Sequence, residues 1–176
     1  MSKMNRRSFL KGSGIAVAIP LIGSTVALAK ENKLGSNTGT TLDYPETAIA
    51  NISQLSINKA VNFYYPDDHS PCAMIRMGKA VPGGVGPDKD IVAYSILCNH
   101  MGCSLLYDSQ SRTFKCPCHF SIFDGEKAGQ MVMGQATEDL PQILLSYNKD
   151  TGDVTAVGVD GLIFGRQANV VNSEKV

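Results

Sequence analysis

Apolar and polar positions along the chain follow the two-residue period of strands more than the 3.6-residue period of helices. In AVNFYYP (60–66), Val61, Phe63 and Tyr65 fall on one face, the pattern of a half-buried strand. DIVAYSILC (90–98) is a run of β-branched and aromatic residues that reads as a second strand. Between them AVPGGVGPDKD (80–90), with three glycines and two prolines, cannot be regular structure. Farther on, QILLSYNKDTGDVTAVGVDGLIFG (142–165) carries two apolar runs divided by Asn148–Gly152 and a third bounded by glycines, which predicts a β-hairpin and a following strand. No segment sustains a helical period with caps, and no internal repeat is visible. The expected fold class is all-β, with antiparallel sheets.

Length and charge sharpen this picture. A chain of 176 residues supports one domain with a real core and hardly two. Its formal net charge is zero, but the first 29 residues hold Lys3, Arg6, Arg7 and Lys11 and no acidic group, so the remainder has 12 basic and 16 acidic side chains. An acidic body without a basic stripe argues against a nucleic-acid partner, because phosphate neutralisation needs clustered Lys and Arg. NRRSFLKGSGIAVAIPLIGSTVALAK (5–30) resembles a twin-arginine export signal, with an A-x-A site ending at Ala29. The alternative is a retained anchor, giving membrane contact, although Gly12, Gly14, Pro20 and Gly23 dilute the apolar segment. Residues 1–29 are thus read as a signal, 30–43 as a polar Gly/Ser/Thr-rich linker, and 44–176 as the folded domain. Either reading places the body outside the cytoplasm, in the periplasm, where disulfides persist. Twin-arginine export carries folded proteins, which suits a chain loaded with a cofactor beforehand.

The chemistry is concentrated in two short boxes, CNHMGC (98–103) and CPCHFS (116–121), with 15 residues between His100 and Cys116. They contain four of the five cysteines and two of the three histidines. Gly102 and Pro117 favour tight loops whose backbone amides approach sulfur ligands closely. Ligand types alone also allow a Cys2His2 zinc site, although two further cysteines and the C-P-C-H-x-S wording are unnecessary there.

The boxes match C-x-H-x-G-C and C-P-C-H-x-S of the Rieske iron–sulfur proteins at every defining position, and the chain resembles that family. The resemblance implies a Rieske fold whose small cluster-binding subdomain spans about 95–135. It also implies one [2Fe-2S] cluster with Cys98 and Cys116 on one iron, His100 and His119 on the other, and a disulfide between Cys103 and Cys118. Two ferric ions, two sulfides and two thiolates sum to zero charge, so such a cluster accepts an electron more readily than an all-cysteine one. In the family a serine two positions after the second histidine donates to a sulfide, and a tyrosine two further on donates to a ligand cysteine. Here Ser121 is present, but Phe123 stands at the tyrosine position, which implies a lower potential than in members with both donors.

Other residues change the picture less. GQATEDLP (134–141) corresponds to the family loop that covers the cluster, with Gln135 where quinol-oxidising members often have proline. Met101, Met131 and Met133 are candidates for shielding the cluster, with simple packing the more ordinary role of Met. Cys72 reads as a small buried residue and His69, beside Asp67 and Asp68, as part of a solvated loop.

Beyond the boxes, YPDDHSPC, VPGGVGPDKDIVAYSILCNHMGC and GQATEDLPQI resemble the small-subunit family of arsenite oxidase. That resemblance implies an electron-transfer role beside a large molybdopterin and iron–sulfur catalytic subunit, with a cytochrome c or an azurin-like copper protein as acceptor, and no bond chemistry in this chain. The related iodate reductase Rieske subunit is the nearest alternative, with electrons running inward. A cytochrome bc complex is a more distant one, since it wants a continuous membrane helix and usually the tyrosine.

Overall fold

The computed structural model describes residues 43–170. The expected signal and nearly all of the expected linker lie outside the described residues. Among the described residues no helix is long and apolar enough to cross a membrane, and the one helical element is a single 3-10 turn, Ile52–Gln54, capped by Asn51.

Six strands make the larger sheet: β1 (Thr47–Asn51), β2 (Ala60–Tyr64), β3 (Pro71–Arg76), β4 (Ile91–Ser95), β9 (Gln142–Tyr147) and β10 (Asp153–Asp160). Their order is β1-β10-β9-β4-β3-β2, all antiparallel. Between β4 and β9 the chain leaves to build a second antiparallel sheet, β5 (Leu106–Asp108), β6 (Thr113–Lys115), β7 (Ile122–Asp124) and β8 (Gln130–Met133), in sequence order. The candidate site belongs to this insertion.

The central strands are buried on both faces, and this explains their unbroken apolar runs. Ala73, Ile75, Val92 and Tyr94 pack with Phe114 and Phe123 of the small sheet. Their neighbours Cys72, Met74, Ile91 and Ala93 point the other way, toward Leu55, Tyr65, Ile143 and Val154. Both edge strands add side chains to this second cluster, Ile49 from β1 and Val61 and Phe63 from β2, so the large sheet curls around it. Tyr94 crosses from the large sheet to the small one: its ring meets Phe114 edge-on at 5.6 Å, and its buried hydroxyl donates to the Gly125 carbonyl at 3.0 Å. The insertion is thereby fixed to a rigid base.

The predicted hairpin is present. Asn148 Oδ1 accepts from the amides of Asp150 (2.9 Å) and Thr151 (3.3 Å), and Gly152 supplies the left-handed residue at φ +80°. The strand expected over the third apolar run is not formed. The chain turns out of β10 at Gly161 (φ +96°) and again at Gly165 (φ +79°). Between them Ile163 is buried, with its amide satisfied by the Asn169 side chain at 2.9 Å rather than by a neighbouring strand. The two glycine turns carry the run away from β10, which is already paired with β1 and β9. Strand β1 was not anticipated, because TAIAN lacks the apolar density of a strand signal.

Candidate metal centre

Both cysteine boxes fold into the same closed loop. In the first, the Cys98 amide donates to the Cys103 carbonyl (2.9 Å) and the Gly102 amide donates back to the Cys98 carbonyl (2.8 Å). In the second, Cys116 donates to the Ser121 carbonyl (2.8 Å) and Phe120 donates back to Cys116 (3.2 Å). Each loop therefore needs a left-handed residue four positions after its first cysteine. Gly102 meets this need at φ +74°, and Phe120 meets it at φ +61°, where a side chain costs roughly 1–2 kcal/mol.

A disulfide between Cys103 and Cys118 joins the loops, with Cα atoms 6.5 Å apart. Cys98 and Cys116 remain free and buried, and their thiols are in hydrogen-bonding contact with one another. The sulfurs are surrounded by donors. The His100 amide and, more weakly, the Ser121 hydroxyl serve Cys98, and the amides of His119 and Cys118 serve Cys116. Burial pushes the Cys98 thiol up. Burial also acts on Cys116, but there the two amides and the Cys98 thiol outweigh it and hold the group down. Cys116 is thus the member of the pair prepared to carry negative charge on sulfur.

The histidine rings face each other edge to face, with centroids 4.7 Å apart. His119 is exposed and His100 half-buried, yet His100 Nδ1 is sealed from solvent without a hydrogen-bond partner. An orphaned buried imidazole nitrogen costs free energy unless something coordinates it. Two free thiols and an unsatisfied imidazole beside a second imidazole are therefore a donor set that fits a bound metal group.

The arrangement also bears on which group fits. Four donors around one zinc ion, at about 2.0–2.3 Å each, would lie within roughly 4 Å of one another. Among the described residues the trio whose donor atoms lie within 4.8 Å is Cys103, Cys116 and Cys118, and two of those sulfurs are spent in the disulfide. The free sulfurs and the imidazoles come as two pairs, which suits two metal ions joined by bridging atoms better than one zinc.

Around this centre the remaining candidates separate. Ser121 is fully buried, and its Oγ accepts from the amides of Gln135 (3.1 Å) and Ala136 (3.0 Å). Phe123 is fully buried in β7, paired with Phe114 and Met131. Of the methionines considered for shielding, Met131 packs against the inner cluster, whereas Met101 (64% exposed) and Met133 (54% exposed) lie open to solvent. Cys72 belongs to the opposite face of the large sheet, with its thiol pushed up to about 12 by burial. His69 is exposed, as its polar neighbours suggest.

Three features escaped the sequence reading. Phe164, from the segment after β10, lies against Gly102, so that a Cβ on the glycine would meet its ring at 2.7 Å. Asn99 sends its Nδ2 to the Asp139 carbonyl (2.5 Å), tying the first box to the loop after β8. Phe120, 73% exposed, follows one histidine as Met101 follows the other, so an apolar rim flanks both rings. The phenylalanine after His119 is itself the signal for that rim; the other two depend on contacts between distant segments.

The model of the Rieske [2Fe-2S] domain matches residues 46–144. The iodate reductase subunit IdrB of Denitromonas iodatirespirans is 38% identical over 94% of this chain and 86% of its own length. The corresponding subunit of Pseudomonas sp. (strain SCT) is 36% identical over 92% and 82%. Among solved structures, the soluble domain of Rieske protein II from Sulfolobus acidocaldarius superposes with a TM-score of 0.62 at 26% identity, covering 74% of this chain and 86% of that one.

Proposed function

The chain belongs to the Rieske [2Fe-2S] family, and from that premise we propose that it is the electron-transfer subunit of an exported oxidoreductase of the iodate reductase kind. The observation that carries this reading is the likeness to two iodate reductase subunits over more than nine tenths of the chain, at 38% and 36% identity. It displaces arsenite oxidase, the first assignment from the sequence, in favour of what was there the alternative. The expected large molybdopterin and iron–sulfur subunit remains the proposed partner, and a cytochrome c or azurin-like protein becomes the proposed electron donor.

Cys98 and Cys116 would hold one iron and His100 and His119 the other, since these side chains provide the free sulfurs and the unsatisfied imidazole nitrogen. When bound, a [2Fe-2S] group held in this way takes up and releases one electron at a time. The amides of His100, Cys118 and His119 and the Ser121 hydroxyl direct their positive ends at the sulfurs and favour the more negative, reduced state. The Cys103–Cys118 bond and the Tyr94 hydroxyl hold the loops on the sheet, so little rearrangement accompanies the change of charge. His100 Nδ1 faces inward, which leaves the outer ring edges to meet a partner. The exposed Met101 and Phe120 beside them supply apolar surface for that contact.

Reduction of iodate is a multi-electron reaction, so a one-electron relay would turn over several times per substrate. The proposed flow is inward, from the soluble carrier through this chain to the catalytic subunit. Arg6 and Arg7 support periplasmic delivery by the twin-arginine route.

The test is purification of the complex through a tag on this chain, with identification of its partner and metals. Iodate should reoxidise the reduced complex within the turnover time. Arsenite-driven reduction of the oxidised complex, without response to iodate, would restore the arsenite oxidase reading. Replacing Arg6 and Arg7 by lysines should leave the protein in the cytoplasm; unchanged export would contradict the proposed route.

A further inference from the structure

The two boxes close by the same pair of backbone hydrogen bonds, yet they differ at the left-handed position. In the second box that position is Phe120, whose own ring projects into solvent. In the first it is Gly102, where a Cβ would lie 2.7 Å from Cδ1 and Cε1 of Phe164. The space that a side chain at position 102 would fill is occupied by a ring from a segment far along the chain.

That segment, 161–170, forms no strand and is held by side chains instead. Asn169 is buried and uses its whole amide. Its Oδ1 accepts from the Ile163 amide at 2.9 Å, and its Nδ2 donates to the Gly161 carbonyl at 2.7 Å and to the Tyr44 hydroxyl at 3.0 Å. Arg166 donates to both carboxylate oxygens of Asp67, at 2.6 Å and 2.7 Å, and its amide donates to the Ile163 carbonyl at 3.2 Å. Phe164 is therefore carried by a backbone fixed on either side, through the buried Ile163 before it and Arg166 after it. A ring delivered by an ordered backbone loses little further freedom when it packs, so its contact holds more firmly.

We propose that segment 161–170 is a latch on the first box, in which Phe164 is a positioning residue that keeps the Cys98–Cys103 loop, and with it the His100 ring, in place. The exposed Phe120 does not brace the second box in this way, so the two histidines are held unequally. The inference deepens the reading of the boxes as a two-iron site and rests on it.

The test follows hydrogen–deuterium exchange of the cluster-loaded protein by mass spectrometry, in peptides spanning 98–103 and 116–121. Phe164→Ala should speed exchange about tenfold at 98–103, where the Gly102 amide donates to the Cys98 carbonyl, a factor that corresponds to about 1.4 kcal/mol. Exchange at 116–121 should stay as it was. Phe164→Tyr keeps the ring and should keep the original rate. Asn169→Ala releases the anchor without touching the ring, and should speed the same peptide; Phe164→Ala added to it should change little more. Should Asn169→Ala fail to fold, Arg166→Gln decides in its place, with acceleration at 98–103 expected. Electron–nuclear double resonance of the reduced protein is the second readout, and Phe164→Ala should shift only the histidine nitrogen coupling that His100→Cys removes. Unchanged exchange, equal acceleration of both peptides, additive effects of the two variants, or a shift of both couplings would overturn the latch. Absence of any cluster signal in the unaltered protein would instead overturn the reading beneath it, while exchange of the loop, which needs no cluster, would still judge the latch.

Discussion

Gly102→Ala puts the geometry of the first box to a quantitative test. Two costs combine at this residue. The alanine must take up a left-handed backbone at φ +74°, at roughly 1–2 kcal/mol. Its Cβ would also come within 2.7 Å of Cδ1 and Cε1 of Phe164, so the ring must shift. Overpacking costs about 1–3 kcal/mol, and the low end applies because Phe164 is partly exposed and can move outward. The sum is about 2–3 kcal/mol, which for a domain of this size lowers the thermal midpoint by roughly ten degrees. Circular dichroism melts at matched cluster content measure it, with the rate of visible bleaching as a local probe. In a Phe164→Ala background the clash is absent and only the backbone cost of about 1–2 kcal/mol should remain. A Gly102→Ala protein as stable as the original, or a cost unchanged by Phe164→Ala, would refute the account of this loop.

Three further outcomes are expected. Phe123→Tyr introduces a hydroxyl into a fully buried site beside the centre, and a new donor to a charged sulfur, worth about 1.5 kcal/mol, should raise the potential by roughly 60 mV; voltammetry with no rise would show that the hydroxyl does not reach a ligand. Paired Cys103→Ser and Cys118→Ser substitutions remove a cross-link of sequence separation 15, and should cost about 3 kcal/mol in a thermal melt and speed cluster loss. Asp67, paired with Arg166 at 2.6 Å and 2.7 Å, has its carboxyl held below the usual range chiefly by that guanidinium. A lowered folded value gives stability that is complete above the unfolded value near 3.9 and disappears as pH falls through the folded one. Because the pair is part-exposed its share is a fraction of a kcal/mol by rough estimate, so melts of Asp67→Asn and the original protein should differ slightly at pH 6 and converge near pH 2.

How far the sequence carried the fold differs from element to element. Val61, Phe63 and Tyr65 marked β2 because that strand is buried on one face, and the Asn148–Gly152 turn announced its hairpin through side-chain chemistry. The order of strands in the large sheet, with β9 beside β4 and β1 at the far edge, depends on pairings across up to about a hundred residues and leaves no local trace. The run after β10 shows the same limit from the other side: Leu162, Ile163 and Phe164 have strand composition, but the segment is turned out by Gly161 and Gly165 and packs irregularly, with Ile163 held by Asn169 and Phe164 on Gly102. Within the site, the two boxes were legible because their chemistry is local, whereas the left-handed backbone at Phe120 was not. The supports from Gln135 and Ala136 were not, since backbone amides have no residue-type signature, and those from Asn99 and Asp139 depend on contacts between segments distant in the chain.

The central claim is that two thiolates and two imidazoles of this chain, Cys98, Cys116, His100 and His119, hold a two-iron group. Electron–nuclear double resonance of the reduced protein, prepared with ¹⁵N-labelled histidine, tests it most directly. The account predicts two irons and two acid-labile sulfides per chain, two distinct histidine nitrogen couplings, and loss of one coupling each in His100→Cys and His119→Cys. A cluster without histidine coupling, or one zinc per chain and no paramagnetic signal after reduction, would contradict it.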